Sequence, residues 1–161
     1  MSILYILIST RLFCALPSAV AFEATGTASP RPVDEILLTL NPFVSTKYVY
    51  TTLDLNTDTV HPDIDGMKKA LEDGNLYGIT ERMGNVLQDV TIPAYPEVER
   101  IKEQMKTLGA VNAMMSGSGP TVFGLFDDKT LAEQACEALR ESRLARTVFL
   151  TTVFNNGGRR K

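Results

Sequence analysis

Residues 116–120 read Ser-Gly-Ser-Gly-Pro and stand directly ahead of the apolar run "TVFGLF" at 121–126. Two glycines alternating with two serines free the backbone for positive φ and leave N–H groups and hydroxyls unobstructed, which is how a loop approaches an oxyanion. Ser116, Gly117, Ser118 and Gly119 are therefore candidates for a phosphate-facing loop, with Pro120 stiffening its exit. A tight turn joining two strands accounts for the same residues, and the loop alone does not separate the two readings. Few other residue types in the chain suggest chemistry. His61 is the only histidine, which excludes a His-rich metal site; it precedes a proline, as a residue in a helix-entry turn does. Cys14 and Cys136 are isolated and lack a C-x-x-C spacing, so they read as reduced, buried thiols rather than a disulfide.

Positioning this loop requires strands on both sides of it. "VNAMM" and "TVFGLF", at 111–115 and 121–126, supply them. Two further apolar runs, 35–41 ending at Asn41-Pro42 and the β-branched 146–154, read as strands. Between the first strand and the loop lie several helical segments. Ser45 is placed to cap a short one. "HPDIDGMKKALEDGN" carries Ile64, Met67, Ala70 and Leu71 at helical spacing, with Gly74 at its end. "LYGITERMGNVLQ" suggests another helix with a stripe of Leu76, Ile79, Met83, Val86 and Leu87, which Gly84-Asn85 would bend or shorten. "YPEVERIKEQMKTLGA" is the clearest amphipathic pattern, with Val98, Ile101, Met105 and Leu108 on one face and Gly109 at the end. After the second loop strand, Asp127 or Asp128 caps a helix expected to bury Leu131, Ala135, Ala138 and Leu139. The order predicts an α+β, ferredoxin-like βαββαβ sandwich: an antiparallel sheet with helices on one face.

Bulk properties narrow the function classes. The 161 residues, 44% hydrophobic and 22% charged, suffice for one domain with a real core. A net charge of -3 argues against a nucleic-acid partner. The closing "GGRRK" reads as part of a flexible basic tail over 156–161. Residues 1–32 are atypical: an apolar run at Ile3–Ile8 and "AVA" at 19–21 faintly suggest a secretory signal, but no Lys or Arg precedes the run and Arg11 interrupts it. No stretch approaches the roughly 20 apolar residues of a membrane span.

The run "LGAVNAMMSGSGPTVFGLF" at 108–126 resembles the third signature of the GHMP kinases. "VSTKYVYTTLD", "HPDIDGMKKALEDGNL" and "MGNVLQDVTIPAYPEVERIKEQMKTLGA" extend the likeness, in order and spacing, over about residues 33–155. They resemble the carboxy-terminal domain of the family members that act on diphosphocytidyl methylerythritol. The resemblance implies a cytoplasmic enzyme of isoprenoid biosynthesis, with ATP and Mg²⁺ as cofactors and that small molecule as substrate, phosphorylated at its 2-hydroxyl. It implies a substrate- and phosphate-region loop at Ser116–Pro120, with Asn85 and Thr46 as weaker site candidates. For Asn85 and Asp89 a helix-end cap is the simpler role, and for Thr46 and Lys47 a solvated first helical turn serves equally well. The family's Gly-Leu-Gly-Gly-Ser-Ser ATP loop has no counterpart, because the only Gly-Gly is Gly157-Gly158. Its amino-terminal lysine and aspartate also find no match, so no catalytic residue is assigned. The expectation is a carboxy-terminal portion, inactive without an amino-terminal kinase half, in which residues 1–32 are an atypical leader or a remnant of the interdomain region. A noncatalytic ferredoxin-like small-molecule-binding module and a sister kinase of mevalonate-type or homoserine substrates are the alternatives.

Overall fold

The computed structural model describes residues 34–39, 44–54 and 62–152, with backbone alone at 34–39 and 152. The expectations for Cys14, His61, the 1–32 leader and the 156–161 tail lie outside the described residues.

Four strands, β1 (Asp34–Thr39), β2 (Asn112–Met115), β3 (Val122–Phe126) and β4 (Thr147–Thr152), form one sheet in the order β2-β3-β1-β4. All three neighbouring pairs are antiparallel. Each strand lies within one or two residues of its predicted bounds, because alternation of side chains and β-branched composition mark a half-buried pleat well.

Six helices complete the described chain: α1 (Thr46–Thr52), α2 (Ile64–Glu72), α3 (Leu76–Thr80), α4 (Gln88–Ala94), α5 (Glu97–Thr107) and α6 (Lys129–Ser142). Ser45 caps α1 by accepting from the Tyr48 N–H, and Asp128 caps α6 by accepting from Leu131. Gly74 follows α2 at φ 61° and Gly109 follows α5 at φ 101°, the left-handed conformations that close a helix.

The core lies between the sheet and the helices α5 and α6. Val98, Ile101 and Met105 of α5 cluster with Ala113 and Met115 of β2, Val122 and Phe126 of β3, and Val148 of β4. Each large side chain buried here contributes roughly 1.5–3 kcal/mol. From α6 the buried set is Ala132, Ala135, Cys136 and Leu139. Leu131, expected inside, is 40% exposed, and Ala138 is only half-buried. The apolar stripe of α6 is thus rotated by one residue from the expected face, and the small side chains of Ala132 and Ala135 turn toward the sheet. Ile64 of α2 is likewise exposed, at 67%.

The predicted helix over 76–88 is interrupted around Gly84-Asn85, where a bend or shortening was expected. After α3 the chain turns through Gly84 and Asn85, and α4, which the sequence reading did not anticipate, begins at Gln88. This segment seals the edge strand β2. The Asn112 side-chain amide donates to Thr80 O at 2.8 Å, and the outward Met115 N–H donates to Gln88 Oε1 at 3.2 Å. Capping an otherwise unpaired edge removes a template for association, and it brings the 85–91 segment to the end of the sheet where the glycine loop lies.

Candidate functional site

The loop between β2 and β3 closes on itself. Ser116 N–H donates to Thr121 O at 2.8 Å and Gly119 N–H donates to Ser116 O at 3.0 Å. Gly117 and Gly119 have φ of 55° and 81°, the left-handed region that favours glycine. The Gly119-Pro120 peptide bond is cis. Of the four backbone donors expected to face a ligand, those of Ser116 and Gly119 are therefore occupied within the loop. Among the described residues, nothing accepts from the N–H groups of Gly117 and Ser118. Two adjacent free donors are an arrangement that receives an oxyanion.

Ser118 is buried, 7% exposed, and its hydroxyl is engaged: Oγ lies 3.1 Å from Thr46 Oγ1 in the first turn of α1. It is not an open ligand hydroxyl as the sequence reading had it; Ser116, half-buried at the loop's entry, keeps its hydroxyl without a described partner. Thr46, a weaker candidate, does reach the loop, through Ser118. Lys47 beside it is exposed and touches none of the loop by hydrogen bond.

Asn85 reaches it too. Its side-chain Nδ2 donates to Met115 O and to Gly117 O, both at 2.8 Å, while its Oδ1 accepts from Leu87 N–H at 3.0 Å. Local capping was foreseen for this residue, but the two bonds across the chain were not. Asp89 sits in the first turn of α4 and forms no cap. Two residues that sequence reasoning missed complete the cradle. Gln88 holds Met115 N–H, and the fully buried Thr91 donates from Oγ1 to Ser118 O at 3.2 Å. Asn85, Gln88 and Thr91 recur at three-residue intervals, so their side chains line one side of the turn and helix that follow. That spacing of hydrogen-bonding side chains was the available signal.

Beside the loop is a shallow cleft of about 220 Å³ lined by Gly84, Asn85, Met114, Ser116, Gly117 and Phe123. Met114 and Phe123 are register partners on the sheet face turned away from α5 and α6, and they give the cleft an apolar floor under a polar rim. A larger depression of about 710 Å³ lies along α6, but Glu133, Glu137 and Glu141 line it and would repel an anion. Among the described residues no group of histidine, cysteine or carboxylate side chains is gathered to hold a metal ion, and no helix is long and apolar enough to cross a membrane.

Comparison with known proteins agrees with this architecture. The family model described as GHMP kinases C terminal matches residues 57–143. The 4-diphosphocytidyl-2-C-methyl-D-erythritol kinase of Lachnospira eligens is 44% identical over 148 residues, covering 88% of this chain and 51% of that protein. The enzyme of the same name from Lachnoclostridium phytofermentans is 42% identical over 144 residues, covering 81% of this chain and 50% of its own. The chain thus spans about half the length of the curated relatives it matches. A crystal structure of 4-(cytidine 5'-diphospho)-2C-methyl-D-erythritol kinase superposes with a TM-score of 0.62 at 26% identity, over 78% of this chain and 44% of that one. Homoserine kinase from Cytophaga hutchinsonii, at 16% identity and a TM-score of 0.59 over 78% of this chain and 42% of its own, shares the fold alone.

Proposed function

The chain belongs to the GHMP kinases through their C-terminal domain, and from that premise we propose that it forms the carboxy-terminal part of an ATP-dependent kinase acting on the 2-hydroxyl of 4-diphosphocytidyl-2-C-methyl-D-erythritol, a step of non-mevalonate isoprenoid synthesis. The observation that carries this reading is the 115–121 loop: among the described residues nothing accepts from the Gly117 and Ser118 N–H groups, and Ser116 and Gly117 line a cleft with an apolar floor. Phosphoryl transfer asks a protein mainly to position the reactants and to place donors where negative charge develops. Two backbone donors do this without reorganising, and the Ser116 hydroxyl can add a third. The apolar floor of Met114 and Phe123 suits the uncharged part of a bound nucleotide or acceptor.

ATP supplies the phosphoryl group, and Mg²⁺ offsets its charge when bound. The described residues offer no carboxylate cluster for that ion, so it would be held by the phosphates themselves and by groups outside this set. The strand order β2-β3-β1-β4, antiparallel throughout, supports a ferredoxin-like βαββαβ arrangement for the sheet with α5 and α6. A cytoplasmic location is part of the same proposal; among the described residues no helix is long and apolar enough to cross a membrane.

The missing Gly-rich ATP loop sets the test. Incubated with ATP, Mg²⁺ and the diphosphocytidyl substrate, the chain alone should give no turnover. Addition of the amino-terminal half of the Lachnospira eligens enzyme, separately expressed, should restore it. Turnover by the chain alone would overturn its reading as a part, and silence of the two folded, associated parts would overturn the kinase reading.

A further inference from the structure

We infer that Asn85, from a turn outside the loop, is the positioning residue that aims the Ser118 N–H at an oxyanion ligand, a role that rests on the oxyanion reading of the loop given above. The carbonyl of Gly117 and the N–H of Ser118 belong to one peptide plane, and across a trans peptide the two point in opposite directions. Whatever holds the carbonyl therefore aims the N–H. Asn85 Nδ2 holds that carbonyl at 2.8 Å. Its second amide hydrogen is fixed on Met115 O and its Oδ1 on Leu87 N–H, so the side chain is tied at three points and cannot rotate without losing all of them.

The other free donor has a separate support. Gly117 N–H shares its peptide plane with Ser116 O, which accepts from Gly119 N–H inside the loop. Asn85 plays no part in that bond. Among the described residues nothing accepts from the Ser118 N–H, and an unpaired backbone donor gains by finding a partner. The plane between Gly117 and Ser118 would relax by flipping, which the glycine at 117 permits, unless its carbonyl were restrained. The Asn85 clamp supplies that restraint, and the donor stays directed at the ligand's position before the ligand arrives.

The separate supports make the role testable on the full chain, labelled with ¹⁵N and titrated with inorganic pyrophosphate. In the unaltered protein the Gly117 and Ser118 amides should both shift along one saturable curve. Asn85→Asp keeps the acceptor for Leu87 but loses both donated bonds; Asn85→Ala loses them without adding charge. In each variant the Ser118 shift should shrink at least fivefold while Gly117 still responds, with affinity about five- to tenfold weaker. An undiminished Ser118 response in the folded variants overturns the aiming role and leaves the oxyanion reading intact. Silent amides at both positions in the unaltered protein overturn that reading, and the aiming role with it. Should the variants fail to fold, the unaltered chain decides. A scalar coupling across the hydrogen bond from Asn85 Nδ2 to the Gly117 carbonyl carbon, growing as pyrophosphate binds, supports the role. Its absence while Ser118 still responds overturns it.

Discussion

Thr46 and Ser118 are 72 positions apart in sequence, and their hydroxyl oxygens lie 3.1 Å from each other. This bond ties the first turn of α1 to the glycine loop. Because Ser118 is buried, removing either partner strands the other hydroxyl, and the two losses should not add. Thr46→Val and Ser118→Ala should each cost about 1 kcal/mol, and the double variant little more than either, a coupling of roughly 0.5–1.5 kcal/mol. Urea denaturation of the four proteins reads this directly. Strict additivity would mean that the bond does not form in solution.

The two loop glycines should respond differently to substitution, although their sequence context is alike. A Cβ on Gly119 would come 2.7 Å from Met115 Sδ and 3.3 Å from Thr91 Cγ2, at φ 81°. Met115 is fully buried and cannot yield freely. Gly119→Ala should therefore destabilise by about 2–5 kcal/mol, combining left-handed strain with overpacking. A Cβ on Gly117 meets nothing within 4 Å, so Gly117→Ala should cost only the strain of φ 55°, about 1–2 kcal/mol. Equal midpoints in a thermal melt would contradict this difference.

That contrast marks where sequence reading reached and where it stopped. The strands, the helix at 97–107 and the loop are governed by local pattern: alternation, a 3.6-residue stripe, and glycines between apolar runs. Which of the loop's donors and hydroxyls are left without a partner is not local. It depends on Asn85 crossing to Met115 O and Gly117 O, and on Thr91 and Thr46 meeting Ser118, contacts made only once α1 and the 85–91 turn pack against the sheet end. The same holds for α6, where Leu131 and Ala132 are both apolar and only the sheet decides between them. The helix expected over 76–88 is interrupted for a local reason, at the Gly84-Asn85 pair that was expected to bend or shorten it: a glycine followed by an asparagine whose Oδ1 accepts from the N–H two residues on offers the backbone a turn in place of a helix.

Asp63 sets a pH-dependent element away from the site. Its carboxylate accepts from Gly66 N–H at 2.9 Å and from Arg82 Nε at 2.9 Å, and these bonds, the backbone one foremost, hold its pKa below the ordinary 3.8. A depressed folded-state pKa means that the bonds contribute stability above the unfolded value and lose it as pH falls through the lower, folded one. Arg82→Gln should move the Asp63 carboxyl titration upward, though not fully to 3.8, because the Gly66 bond remains. A ¹³C titration of the side-chain carboxyl measures the shift. An unmoved midpoint would mean that Arg82 does not reach Asp63 in solution.

Phe149 carries the last prediction. Its neighbours Val148 and Leu150 turn toward the core, so alternation along β4 sends Phe149 to the opposite face, where it is 48% exposed. The register row through it runs across the sheet by way of Phe123, which is already buried at 4% exposure, so Phe149 is the aromatic ring of that row left open to a partner. An aromatic ring buries about 150–250 Å² when covered, a large gain for a contact between two such faces. The purified chain should therefore associate as its concentration rises, and Phe149→Thr, which keeps strand propensity but removes the ring, should lower the average mass seen by light scattering at the same concentration. If the unaltered chain stays monomeric from micromolar to millimolar concentration, the face does not drive association. If the substitution leaves association unchanged, the contact lies elsewhere on the surface.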